Sequence, residues 1–169
     1  MNEGEESIVK FARAAAMAIT TFATAVGVGF AGASSALATE NPPVRNFGAE
    51  HTLVDAGGAV IQGITVTNLQ PSNDPIPYPQ RRGELWEATA TIKAIRGTVT
   101  PIIPNFNARA ANGQNYQNLA GVPTALGLHP GGIPQGDETN GKLYFDVVGQ
   151  HPDSVVYNAG GRDLFIWKS

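Results

Sequence analysis

The chain has 169 residues, length for one domain plus a modest extension, and its formal net charge of -3 offers no basic footprint for nucleic acid. With no cysteine, disulfides, thiolate metal sites and thiol catalysis are excluded together. Charged residues make up only 15% while glycine (20) and proline (12) are abundant, a balance that favours many short strands joined by turns.

In chain order, the first segment differs in composition from the rest. No charge occurs from Ala14 to Thr39, a run rich in Ala, Thr, Val and Gly that follows Lys10 and Arg13. Ala36-Leu37-Ala38 supplies the small residues a signal peptidase requires, so residues 1–38 read as a signal peptide cleaved after Ala38, and 39–169 as the mature domain. A retained membrane anchor is the competing reading, since the run is long enough to span a bilayer, but its many small and hydroxylic residues and its cleavage motif favour the signal. Glu3, Glu5 and Glu6 make its beginning acidic, which the usual pattern does not ask for.

Glu40 to Pro43 reads as a loosely held lead, with structure beginning near Val44. His51 to Val54 and Val60 to Leu69 are strand-like, joined by a turn at Asp55-Ala56-Gly57-Gly58, and Gln62 interrupts the apolar phase. Pro71 to Pro79 has too many prolines for a regular ladder and is expected to cross between sheets or run along an edge. Arg81-Arg82 reads as a solvated loop rather than an anion site.

The stretch from Leu85 to Pro101 is the clearest strand. Trp86, Ala88, Ala90, Ile92 and Ala94 share one phase of a two-residue period, and Glu87, Thr89, Thr91 and Lys93 the other, so the first set is expected inside and the second in water. Small alanines beside a large indole leave room for side chains of an opposing sheet. Arg96-Gly97 breaks the phase as a bulge or sharp bend does. Phe106 to Arg109 and Gln114 to Gln117 then flank Asn112-Gly113, a tight hairpin signal. Leu119 to Pro134 has no helical period and reads as a long connection. Asp137 to Gly141 reads as a turn feeding a strand from Lys142 to Val148, with Leu143, Phe145 and Val147 inward. Ser154 to Tyr157 pairs through an Asn158-to-Asp163 loop with Leu164 to Lys168. Seven or eight strands and no convincing helix after residue 39 imply an all-β, two-sheet antiparallel sandwich.

LWEATATIKAIRGTVTPIIPNFNARAANGQNY, IPQGDETNGKLYFDV and the terminal DLFIW resemble the small secreted immunogenic proteins of mycobacteria, of the immunogenic protein 63 type, over essentially the whole mature chain. The resemblance implies an immunoglobulin-like β-sandwich, exported and recognised by host immunity, with no established catalytic activity and no catalytic residues to carry over. The chain departs from that pattern mainly from Leu119 to Pro134 and from Pro71 to Arg82.

The residues themselves carry little chemistry. No GxSxG elbow, HExxH pair, P-loop or strand-linked GxGxxG is present. His51, His129 and His151 lack ligand spacing and read as exposed loop or edge histidines rather than a metal site. Asp137 to Gly141 lacks the alternating acids and distal Glu of a calcium loop. Trp86 reads as core, and Trp167, whose phase is ambiguous, reads as core by default rather than as a sugar platform. The expectation is therefore a secreted module with no catalytic, cofactor or metal residues. Its partner is a host or cell-envelope protein or glycan, not nucleic acid, and not a membrane once the signal is removed. A ligand carrier, with a pocket between the sheets beside Ala88 and Ala90, is the alternative. A hydrolase is a third class, for which Asp146, Glu87 and His151 are the only candidates.

Overall fold

The computed structural model describes residues 41–169. The segment read as a signal peptide lies outside the described residues. Nine strands are formed among the described residues: β1 (Val44–Asn46), β2 (Glu50–Asp55), β3 (Val60–Pro71), β4 (Glu84–Arg96), β5 (Phe106–Ala110), β6 (Asn115–Gln117), β7 (Glu138–Val147), β8 (Pro152–Ala159) and β9 (Arg162–Lys168). One sheet has the order β2-β3-β4-β7 and the other β1-β9-β8-β5-β6. The result is an all-β, immunoglobulin-like sandwich.

The alternation in β4 has the consequence expected of it. Ala88, Ala90, Ile92 and Ala94 are buried, with Trp86 nearly so, in a core that also takes Leu143, Phe145 and Val147 from β7, Ile64 and Val66 from β3, and Phe106, Tyr157, Phe165 and Trp167 from the opposing sheet. Inward side chains of two sheets thus interdigitate across one layer. Trp167 is fully buried, which resolves its phase. Its Nε1 donates to the Ala49 carbonyl at 2.9 Å, satisfying the indole where β1 gives way to β2.

The turns follow local chemistry. Gly97 has φ +68° immediately after β4, and the β3–β4 register shifts beside Arg96, so the chain bends where the phase breaks. Asn112 and Gly113 close the β5–β6 hairpin: the Gln114 N–H donates to Asn112 Oδ1 at 2.9 Å, and Gly113 has φ +86°.

Three expectations require correction. The proline-rich stretch does not cross between sheets, because β3 and β4 are neighbours in the same sheet; it is the wide loop of their hairpin. Residues 138–141 are not a turn: they are the first part of β7, since β4 is long enough to offer ladder partners as far as Lys93, which pairs with Glu138. The sandwich is also not wholly antiparallel, because β1 runs parallel to β9, with Val44 opposite Ile166.

Candidate functional site

On the outer face of the first sheet, the ladder sets Glu87 opposite Tyr144 and Thr89 opposite Lys142. These positions alternate with core residues of β4 and β7, so their side chains leave the sandwich together. Lys142 Nζ donates to Asp74 Oδ2 at 2.7 Å and to Glu87 Oε2 at 2.9 Å. The Tyr144 hydroxyl donates to Asp74 Oδ2 at 2.7 Å, Ser72 Oγ to Glu87 Oε2, and Gln70 Nε2 to Glu87 Oε1 at 3.3 Å. Glu87 is therefore not wet: it is 7% exposed, because the proline-rich loop folds back over the sheet and brings Ser72 onto Glu87 and Asp74 onto Lys142 and Tyr144.

The electrostatics follow from these contacts. Hydrogen bonds from the Lys142 ammonium and then the Tyr144 hydroxyl hold the Asp74 carboxyl below its ordinary range. Asp74 and then Glu87 raise Lys142. Burial, followed by the Asp74 carboxylate, raises the Tyr144 phenol. Lys142 faces two carboxylates, so the ionised trio carries one net negative charge.

Lys142 and Tyr144 also line a cleft of about 580 Å³ beside the β7 edge. The long connection is pinned to that edge twice. Leu119 N–H donates to the Tyr144 carbonyl at 2.9 Å; further on, Leu128 N–H donates to the Lys142 carbonyl at 3.0 Å while Lys142 N–H donates to Leu126 at 2.8 Å. Residues 120–125 lie between the two pins, and part of this arch forms one wall. Pro101, Ile103 and Pro104, in the crossover from β4 to β5, line it as well. Gly141 permits the second pin, because a Cβ there would run into the backbone of Leu128. Asn118 lines the cleft as well, and its Nδ2 is buried without a hydrogen-bond partner.

Of the residues singled out in the sequence, Glu87 joins the Lys142 cluster and His129 lines the cleft, while the others lie elsewhere. His51 is not exposed: it is 2% accessible, stacked on Phe165 with ring centroids 4.6 Å apart, edge-on to Trp167 at 4.9 Å, and donates Nε2 to the Ile166 carbonyl at 3.3 Å. Burial lowers its pKa to about 4, against the opposing effect of that hydrogen bond and with a smaller push from Arg45. Three polar or small neighbours in the sequence gave no hint that β2 would turn this position inward between the sheets. His129 is exposed, and its Nδ1 accepts the Gly131 N–H at 3.1 Å. His151 is exposed beside Trp86 and 3.3 Å from a Glu84 carboxylate oxygen. The Asp146 carboxylate accepts the N–H groups of Arg82 and Gly83 at 2.9 and 2.8 Å, closing the proline-rich loop, while Arg81 and Arg82 themselves are exposed. Asp146, Glu87 and His151 thus have separate partners and share no hydrogen bond. Among the described residues no group of three or more His, Cys, Asp or Glu is gathered so as to hold a metal ion.

Asn118, Lys142 and Tyr144 escaped the sequence reading. The available signal was Gly141 inside a strand pattern, which marks a close approach of another backbone. Ala88 and Ala90 are fully buried in the packed core, and the cleft lies at a sheet edge rather than beside them.

Two sheets holding irregular connections at their margins define an immunoglobulin-like β-sandwich module, in which variable chemistry resides in the connections. The chain belongs to the family described as a domain of unknown function, DUF1942, whose model matches residues 42–167. It is 45% identical over 130 residues to the immunogenic proteins MPB63 of Mycobacterium bovis and MPT63 of Mycobacterium tuberculosis, covering 75% of this chain and 80% of each relative. The crystal structure of MPT63, a secreted protein of Mycobacterium tuberculosis, superposes with a TM-score of 0.73 at 42% identity, over 77% of this chain and 99% of that one. The resemblance carried by the WEATAT and AIRG segments is therefore a family relationship.

Proposed function

We propose that the chain is an exported binding module without catalytic machinery, which meets a host or cell-envelope macromolecule through the cleft along β7. The cleft carries the reading: about 580 Å³ of concave space with a prolyl and aliphatic wall and a small number of polar groups has the make-up of a recognition site. Export is supported by the uncharged run ending in Ala36-Leu37-Ala38 and by the secreted relative. A non-enzymatic role is supported by the separate placement of Asp146, Glu87 and His151, which have no common reacting point.

The test is capture from envelope and host-surface extracts by the purified chain and by an Ala120→Trp variant. Ala120 is exposed on the cleft wall, so an indole there fills the space without entering the core. Partners retained by the wild type and lost by the variant support the reading. Capture indifferent to the substitution would place recognition elsewhere. Carriage of a small ligand is the second reading, favoured by a cleft volume within the usual range for small-molecule sites.

A further inference from the structure

We infer that Asn112 is a site of spontaneous covalent modification, closing with Gly113 to a cyclic imide that opens to aspartate or isoaspartate, while the like pair Asn140-Gly141 is kept intact by the fold.

Asn-Gly is the dipeptide in which a main-chain nitrogen reaches the preceding side-chain amide with least obstruction, because the following residue has no Cβ. The chain contains two such pairs, at 112–113 and 140–141. Both asparagines are exposed, so access to water does not separate them. Their backbones do.

Asn112 and Gly113 form the tip of the β5–β6 hairpin, and both are exposed together with Ala111. The Gln114 N–H donates to Asn112 Oδ1 at 2.9 Å, which folds the carboxamide back over Gly113 and draws electrons from Cγ, the atom to be attacked. The same N–H stabilises the negative charge that develops on Oδ1 as Cγ becomes tetrahedral. A Cβ added at Gly113 would meet nothing within 4 Å, so the surroundings leave room for a five-membered ring. The Gly113 N–H donates to the Ala110 carbonyl at 2.9 Å and must let go first. At an exposed tip such a bond opens without disturbing the strands.

The second pair lies inside β7, with Asn140 opposite Thr91 and Gly141 opposite Ala90. Lys142 turns its N–H and carbonyl to Leu126 and Leu128, so Gly141, one residue back, turns its own to β4. Freeing the Gly141 nitrogen therefore means parting β7 from β4, an opening that approaches global unfolding.

The reaction balances with water alone. The Gly113 nitrogen gives up its proton to solvent and its lone pair forms a bond to Asn112 Cγ; the Cγ–Nδ2 bond breaks, and Nδ2 takes up a proton and leaves as ammonia. Water then adds to one of the two imide carbonyls. Addition at Cγ breaks the new C–N bond and gives aspartate. Addition at the main-chain carbonyl breaks the original peptide bond and leaves the chain running through the side chain, as isoaspartate. Either product makes the formal net charge of -3 one unit more negative. Isoaspartate also adds a main-chain carbon to a turn closed by the Ala110 N–H on the Gln114 carbonyl at 2.9 Å.

The experiment incubates the purified chain, folded and in denaturant, at mildly alkaline pH and follows both sites by peptide mapping. Trypsin leaves the two together in residues 110–142, so chymotrypsin, which cuts after Tyr116, is used. In the folded chain Asn112 is expected to convert at least about tenfold faster than Asn140, and in denaturant the two rates are expected to come within about threefold of each other. Asn112→Gln, whose longer side chain would have to close a six-membered ring, is expected to remove the acidic form that accumulates on isoelectric focusing while leaving the melting transition in place. Three results would each overturn the assignment: Asn140 converting as fast as Asn112 in the folded chain, Asn112 staying intact where the denatured chain reacts, or an acidic form persisting in Asn112→Gln.

Discussion

Lys142 Nζ lies 2.7 Å from Asp74 Oδ2, and this contact fastens the proline-rich β3–β4 loop to a strand that does not adjoin it in sequence. Tyr144 donates to the same oxygen, so removing the carboxylate releases two bonds at once. Asp74→Ala is expected to expose the loop to trypsin after Arg81 and Arg82, with a cleavage rate several-fold above wild type, while the sandwich keeps its melting transition. Limited proteolysis with mass-spectrometric mapping checks it. Unchanged cleavage would mean that Asp146, which caps Arg82 and Gly83, holds the loop alone.

His51 gives a pH dependence with a definite sign. Its folded pKa of about 4 lies below the ordinary 6.5, so the unfolded chain binds the extra proton first. The stability of the neutral, stacked ring is complete above pH 6.5 and is lost progressively as pH falls from 6.5 towards 4, by about 3 kcal/mol in total. His51→Phe keeps a ring between Phe165 and Trp167 and removes the titration. Denaturant unfolding at pH 7.5 and 4.5 is expected to show a smaller difference for the variant than for wild type; equal differences would refute the assignment.

The two tryptophans are expected to cost different amounts. Trp167→Ala removes a fully buried indole and strips the Ala49 carbonyl of its donor, for about 4 to 5 kcal/mol. Trp86 sits at the end of the core, with Nε1 on Glu84 at 2.8 Å and His151 against its ring, and Trp86→Ala is expected to cost about 3 kcal/mol. Equilibrium unfolding of both variants tests the ranking. A loss below about 1 kcal/mol for Trp86→Ala would remove it from the core.

Gly141→Ala is expected to drive Leu128 off the β7 edge, costing about 1 to 3 kcal/mol and altering the cleft as well. Gly121→Ala, on the cleft wall with open space around the added methyl, is the control and should stay within about 0.5 kcal/mol of wild type. Amide exchange at Leu128 distinguishes the two. Equal protection in both variants would show that the strand tolerates a side chain at that position.

The exported form is expected to begin at Thr39, from the Ala36-Leu37-Ala38 motif after the uncharged run. N-terminal sequencing from culture medium checks it. A chain found only in membranes and still carrying residues before Ala38 would favour the anchor.

The strands were legible wherever one face is apolar. The Trp86-to-Ala94 alternation and the Leu143, Phe145, Val147 series each specify a buried face, and both lie in the core. Val44 was read as the beginning of structure but Val44–Asn46 was not read as a strand, since three residues cannot show a period and parallel pairing to β9 leaves no local mark. Glu87 was read as wet because alternation says which face a residue takes but not what later covers that face. The cleft was least legible of all: its walls are prolyl connections without periodicity, and the polar groups at its margin come from residues as distant in sequence as Asn118 and Lys142.

The parallel ladder between β1 and β9 ties together the two extremities of the described chain, with the Ile166 N–H also donating to Pro43 at 3.1 Å. Its kinetic consequence is an order of events. During synthesis β1 has no ladder to join until β9 has left the ribosome, and the loop closed by that pairing embraces nearly the whole sandwich, so its entropy must be lost before the contact returns anything. The N-terminal edge of the five-stranded sheet is thus completed last, after the strands of the other sheet, which all precede β9, are already available to pair.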